Sequence, residues 1–525
     1  MRKTVSILLM AVTATLASFL AGCGSSPAKS TGSGGNGPLL LAPVSLSITD
    51  DPPAGVSVLF FQVSLTSATM QPASAGGTPV TLVGNPIVVD VTQLQALSAF
   101  LNMNGVQPGA YSSLTLTFAN PQLIIYNSSD ASLAPSCAIG SVCQLTPPID
   151  NSATITLNSS PFPVTFQTDM PAGLLVDFHL NTIIQPDLSV NLGAANGLSV
   201  AEFSPSAAPT APPLFGGVTG MVGTVDAQGS QFELQMPNGN SLMVLASTST
   251  TYNDFPTSAC SSAGFACIAQ GQIVQVQVSN IVGQGYIDAA QISYVAYPGE
   301  QSVVGTIVDI PPLPTPAGET IVDMILHPGP SFSTTSLPAG GFAQVAVWSP
   351  TQGSSTATTF SIDSDGFTIP SGLTFASNND LAVGQTVTAT MVTGSLQTGP
   401  VSGPVTQNGW GPPVHLSFTA SSLALEPSQI TGTIASVGTG SFTLNSFPVF
   451  FVGPTAVGQP LQSIVETTSQ TTYTGFTPDD FSGLADNDLV SVNGWLFPQN
   501  GVLDPAIGPP IVVAKTVTSH PGALF

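Results

Sequence analysis

Val44-Ser45-Leu46-Ser47-Ile48-Thr49 alternates apolar and polar side chains at every step. A strand with one buried face needs that period of two, and no helix can use it. Leu114-Thr115-Leu116-Thr117-Phe118 repeats the pattern, and shorter strand-like runs follow at Ala153 to Leu157 and Val164 to Gln167. Gly and Pro punctuate the intervals, so the chain reads as all-β, with many short strands joined by turns. Scarce charge signals disorder only when apolar content is also low; here 42% of residues are apolar, enough to build cores. One stretch departs from the period of two. Leu94, Leu97 and Leu101 stand at helical spacing, so Val91 to Asn104 is predicted as a short helix.

The start of the chain has a different job. Arg2 and Lys3 precede an uncharged apolar run, Thr4 to Phe19, and Leu20-Ala21-Gly22-Cys23 reads as a lipobox. A segment this short with these flanks is a secretory signal rather than a spanning helix. Residues 1–22 are therefore predicted to be removed, leaving Cys23 as the lipidated first residue of an exported protein. Residues 23–38 supply a flexible Gly/Ser tether. Gly24 after the cysteine, where an Asp would signal inner-membrane retention, favours the outer membrane or cell surface.

Without the leader, Lys29 and Lys515 are the only basic residues, set against 27 acidic ones. Such a body has no basic patch with which to neutralise phosphates, which excludes nucleic acid as a partner. It also excludes electrostatic binding to anionic lipid, so the membrane is reached through the N-terminal lipid.

Setting Cys23 aside leaves two local pairs, Cys137/Cys143 and Cys260/Cys267. In an oxidising compartment two short-loop disulfides are the simplest reading. A metal site is the alternative, but no histidine stands near either pair, and sequence alone does not exclude cross-pairing.

Leu46-Ser47-Ile48-Thr49-Asp50 with Pro52-Pro53, then the segment at Asp90, Pro108-Gly109-Ala110-Tyr111 and Val176-Asp177-Phe178-His179-Leu180 follow in order. This series resembles domain-of-unknown-function family 4382 over residues 39–203. The resemblance implies a β-sandwich and no catalytic residue, and His179 stands where the family pattern has an acidic residue. Residues 204–216, with Ser204 to Pro213 rich in Pro, Ala and Ser, read as a linker.

Beyond the linker lies an internal repeat. Gly223-Thr224-Val225, Gly305-Thr306-Ile307 and Gly432-Thr433-Ile434 each open a segment. Gln231-Phe232-Glu233-Leu234 matches Ser441-Phe442-Thr443-Leu444, and Thr251-Tyr252 with Phe255 matches Thr472-Tyr473 with Phe476. Each segment later carries a strand-like run, at Gln272 to Val278, Gln385 to Thr390 and Asp488 to Val492. The pattern resembles domain-of-unknown-function family 5666, which implies a small OB-like β-barrel for residues 217–297 and 428–518. Residues 301–420 form a divergent middle copy with the Pro-rich insertion Pro311 to Gly318. The predicted fold is thus an N-terminal β-sandwich followed by three small OB-like barrels.

No nucleophile elbow, zinc-binding His-Glu-x-x-His or phosphate loop is present. His179, His327, His415 and His520 are scattered and read as structural. Asp363-Ser364-Asp365-Gly366 opens like a calcium loop, but Thr374 occupies the position that needs a carboxylate. Asp479, Asp480, Asp486 and Asp488 cluster around Phe481-Ser482-Gly483, as ligands for Ca²⁺ or as solvated turn residues. No other cofactor is implied. Among Trp348, Trp410 and Trp495, a buried ring is ordinary core, whereas an exposed one can stack on a sugar. Trp495 follows an expected Asn493-Gly494 turn and is the candidate ligand platform. The function expected is non-catalytic binding or scaffolding at the cell envelope, with an envelope protein as partner. The rivals are recognition of a neutral glycan and an acid-type hydrolase using paired aspartates.

Overall fold

Strands of alternating burial form wherever the period of two is strict. In a computed structural model of the chain the described residues lie between 42 and 520. They leave out 52–56, 95–98, 127–141, 146–153, 186–188, 204–217, 237–238, 297–301, 311–317, 328–341, 350–356, 399–415, 448–460, 499–508, much of 254–263 and a few single positions. The expected signal peptide, Cys23, the tether and the 204–216 linker all lie outside the described residues, as do Trp410 and His415.

The N-terminal part holds β1 (Ala42–Asp51), β2 (Ser57–Pro72), β3 (Val80–Val83), β4 (Ile87–Asp90), β5 (Ala99–Val106) and β6 (Gly109–Tyr126). Then follow β7 (Val142–Leu145), β8 (Thr154–Leu157), β9 (Val164–Phe166), β10 (Ala172–His179) and β11 (Leu198–Phe203). One sheet runs β11-β10-β1-β5; the other is built on the long β2–β6 pair, with β3, β4, β7, β8 and β9 at its sides. Val44 and Leu46 of the first sheet share one core with Phe61, Val63 and Phe118 of the second. The two sheets thus pack face to face. The helix expected over Val91 to Asn104 does not form among the described residues. Val91–Leu94 is a single 3-10 turn, and Ala99–Val106 is β5, paired antiparallel with β1. Pairing with an available sheet edge overrides a weak local spacing.

Three ring-like sheets follow. The first holds β12 (Val218–Asp226), β13 (Gln231–Gln235), β14 (Ser241–Asn253), β15 (Ile273–Gly283) and β16 (Tyr286–Ala296), closed as a barrel in the order β12-β13-β14-β16-β15. The second holds β17 (Ser302–Asp309), β18 (Glu319–Leu326), β19 (Phe342–Trp348), β20 (Thr359–Ile362), β21 (Thr386–Met391), β22 (Gln397–Thr398) and β23 (Leu416–Glu426). The third holds β24 (Ser428–Val437), β25 (Ser441–Phe447), β26 (Leu461–Glu466), β27 (Thr472–Thr474), β28 (Leu489–Phe497) and β29 (Ile511–Ser519). Each ring pairs its last strand in parallel with its third: β14 with β16, β19 with β23, β26 with β29. The third strand is continuous but shifted in register in the first ring. It is split into β19 and β20 in the second ring and into β26 and β27 in the third, the second piece again parallel to the last strand.

Side-chain bonds repeat across the three rings. Thr250, Thr358 and Thr471 are buried, and each donates from Oγ1 to an alanine carbonyl on the last strand: Ala289 (2.7 Å), Ala420 (2.8 Å) and Ala514 (2.7 Å). Each accepts a backbone N–H in return, from Ser247, Trp348 and Thr468, all at 2.9 Å. This equivalence corrects the repeat read from sequence. Val222, Ile307 and Ile434 donate N–H to the carbonyls of Gln272, Gln385 and Asp488. The glycine two residues earlier is therefore Gly220 in the first ring, not Gly223. At Gly220 and Gly305 a methyl group would come within 2.7 Å of the Gln235 carbonyl and 2.6 Å of the Ile325 carbonyl. Gly432 presses on the Asn445 carbonyl in the same way.

Candidate functional site

The four aspartates singled out from sequence do not converge. Asp479 Oδ1 accepts from Phe476 N (2.8 Å), Asp480 Oδ1 from Ser482 N (2.8 Å), Asp486 Oδ1 from Val437 N (3.1 Å) and Asp488 Oδ2 from Ala485 N (2.8 Å). The Ser482 hydroxyl and backbone hold the Asp480 carboxyl below its ordinary value. Among the described residues no three His, Cys, Asp or Glu side chains gather as a metal would need. The repeat explains Asp488 in particular. Gln272 and Gln385 occupy its position and cap the same turn, accepting from Ala269 N and Ala382 N at 2.8 Å. The left-handed residue before each cap is Gly271, Gly384 and Asn487.

Trp495 is likewise not a surface platform. It is fully buried, its Nε1–H donates to the Asp363 carbonyl (2.8 Å), and its ring lies 5.0 Å from that of Phe367. The expected Asn493-Gly494 turn is the interior of β28, with a register shift at Asn493/Gly494 opposite β29. Residues 489–497 are buried on both faces. One face serves the core of the third ring; Trp495 and Phe497, on the other, enter the core of the second. Cys260 and Cys267 are disulfide-bonded, with Cα atoms 5.1 Å apart. Cys137 lies outside the described residues, and Cys143 is described only as a backbone position in β7.

A cluster that sequence did not suggest joins the sandwich to the second ring. Asp90 ends β4 and His327 follows β18. Asp90 Oδ2 accepts from His327 Nδ1 at 2.9 Å, both side chains being about 95% or more buried. Asp90 Oδ1 accepts from Thr92 Oγ1 (2.6 Å), Thr92 N (3.2 Å) and Phe61 N (3.4 Å). A carboxylate so supplied with donors is suited to a charge-assisted bond. On its far side His327 Nε2 meets Thr306 Oγ1 at 2.7 Å, and that hydroxyl meets Thr386 Oγ1 at 3.3 Å. Phe60 stacks loosely on the imidazole, its centroid 6.2 Å away.

Carboxylate, imidazole and hydroxyl in this order have the connectivity of a nucleophilic triad. Two backbone N–H groups beside it are already in use. Ile307 N–H, next to Thr306, bonds the Gln385 carbonyl (2.9 Å), and His327 N–H bonds the Val304 carbonyl (2.9 Å). The cluster bonds the N-terminal part to the second ring.

Residues 41–193 match the family described as domain of unknown function (DUF4382). The matched range falls within residues 39–203, where the resemblance was expected, and does not reach the rings. Asp90 thus belongs to the DUF4382 domain, and His327 to the part of the chain beyond it. No curated protein and no solved structure matches the chain.

A second polar feature lies on the strand that leads to His327. Asp323 stands opposite Asp309 in the β17–β18 pair. Burial pushes the Asp323 carboxyl up to about 6, the bond from Gln344 Nε2 (3.2 Å) opposes the shift, and the charge of Asp309 adds to it. Burial raises Asp309 as well. Alternation would have found Asp323 as an outward residue between Val322 and Met324; nothing local shows that its outward face is covered.

Proposed function

We propose an exported, lipid-anchored protein with a non-catalytic binding or scaffolding role at the cell envelope. The observation that supports this most is how the polar and aromatic side chains are used. Asp90, His327 and Trp495 bond parts of the chain to one another across long sequence separations, and the aspartates of the third ring cap turns. A general acid or base must keep an atom within reach of substrate. The lipobox at Cys23 and the Gly/Ser tether support anchoring, and Gly24 supports delivery to the outer membrane or cell surface. The pairing order of the rings, with third and last strands parallel, supports reading each as an OB-like barrel related to family 5666. Barrels of this kind bind polymers through a strand face, and the acidic charge turns the choice away from nucleic acid. A neutral glycan would need a platform other than Trp495, which is buried.

The test is metabolic labelling with an alkyne fatty acid followed by detergent phase partition. The wild type should be labelled and enter the detergent phase, and Cys23→Ser should be unlabelled and either unprocessed or shed. A wild-type protein that stays unlabelled and aqueous contradicts the reading.

A further inference from the structure

We propose that the Asp90–His327 bridge is a releasable latch, which docks the DUF4382 domain on the second ring without fusing the two. The proposal goes beyond scaffolding and does not depend on the lipid anchor. Two joints in the molecule contrast. Trp495, Phe497 and Val513 of the third ring belong to the same apolar core as Val322, Met324 and Phe418 of the second. That joint cannot open without exposing core. The core of the sandwich, by contrast, shares no residue with that of the second ring. Among the described residues the Asp90–His327 bond and the contact of Phe60 with the imidazole reach from one to the other.

The face of β2 beside the latch fits a docked surface. Phe60, Gln62 and Ser64 alternate with the core residues Phe61, Val63 and Leu65, so they project from the opposite side of the sheet. They are nonetheless 0%, 6% and 7% exposed. Gln62 pairs in register with both Asp90 and Gln122, and the Oε1 atoms of Gln62 and Gln122 are buried without a hydrogen-bond partner. Release would hydrate both oxygens, which offsets part of the docking free energy. The latch therefore holds a joint that carries an unsatisfied polar load in its closed form.

Small-angle scattering and hydrogen exchange on the mature full-length chain test this. His327→Ala should enlarge the radius of gyration and speed exchange on the order of tenfold in β4 and β17, while β28 and the sandwich core stay protected. His327→Gln, which retains an N–H donor, should restore much of the protection. An Ala variant with unchanged scattering and exchange overturns the proposal, as does exchange that rises equally in both cores. Should the Ala variant not fold, the wild type decides. Exchange at β4 and β17 should exceed that at β28, and equal protection overturns the latch.

Discussion

Asp323 shows how much one side chain contributes in a chain with few charges. Its folded value, about 6, lies above the ordinary 3.8, so the folded state holds the proton more tightly than the unfolded chain does. Stability from this group is present at acid pH and falls as pH rises between those two values. Above them the buried carboxylate costs the fold about 3 kcal/mol, because holding a proton ten times more tightly is worth about 1.4 kcal/mol. Asp323→Asn should therefore unfold at higher urea than wild type at pH 7.5, with the gap closing towards pH 4.5. Parallel curves at both pH values would contradict the assignment. Neither the burial of Asp323 nor the contact of His327 was legible in sequence. Alternation places both side chains on the outer face of their strand, and His327 there meets Asp90 from a distant part of the chain. Trp495 escapes a local reading for a related reason: Asn-Gly favours a turn locally, but in β28 the glycine admits the Val513 carbonyl to the strand.

At the scale of elements, strict alternation marked β1 and the middle of β6, and repeated words in the sequence marked segments that fold as ring-like sheets. Word matching set one copy out of register, because Gly-Thr-Val at 223–225 spells the motif while Gly220-Met221-Val222 occupies its place in the pairing. Substitution should separate the two glycines. Gly432→Ala drives a methyl into backbone and should cost about 1–3 kcal/mol. At Gly223 the nearest atoms are the ends of the Glu233 and Gln235 side chains, which can swing aside, so Gly223→Ala should cost less than about 1 kcal/mol. Equal losses in thermal melts would return Gly223 to the shared motif. The buried threonine common to the rings offers a parallel test. Thr358→Val orphans the Trp348 N–H and the Ala420 carbonyl, and should lower stability by about 1–3 kcal/mol by urea titration. No loss would mean that the bond is incidental. The helical spacing of Leu94, Leu97 and Leu101 marks the limit of such arguments: three residues over so short a window do not distinguish a turn and strand from a helix.

At the scale of the whole molecule, the second ring touches each of the other three bodies among the described residues. It meets the sandwich through His327 and the third ring through Gln385 Nε2, which donates to the Leu496 carbonyl (3.1 Å), and through Thr386 N, which donates to Ser428 Oγ (2.9 Å). Gly366 lies against the Asn253 side chain of the first ring. These contacts join residues that no local pattern relates, which is why the docking was not legible in the sequence. The central claim is that side chains resembling site residues are structural joints, and Trp495 tests it most directly. Calorimetry of Trp495→Ala should show the second and third rings destabilised together, by about 3–5 kcal/mol, as expected for removing a buried aromatic from a shared core. An unchanged melting profile would place the ring at the surface and restore it as a ligand platform.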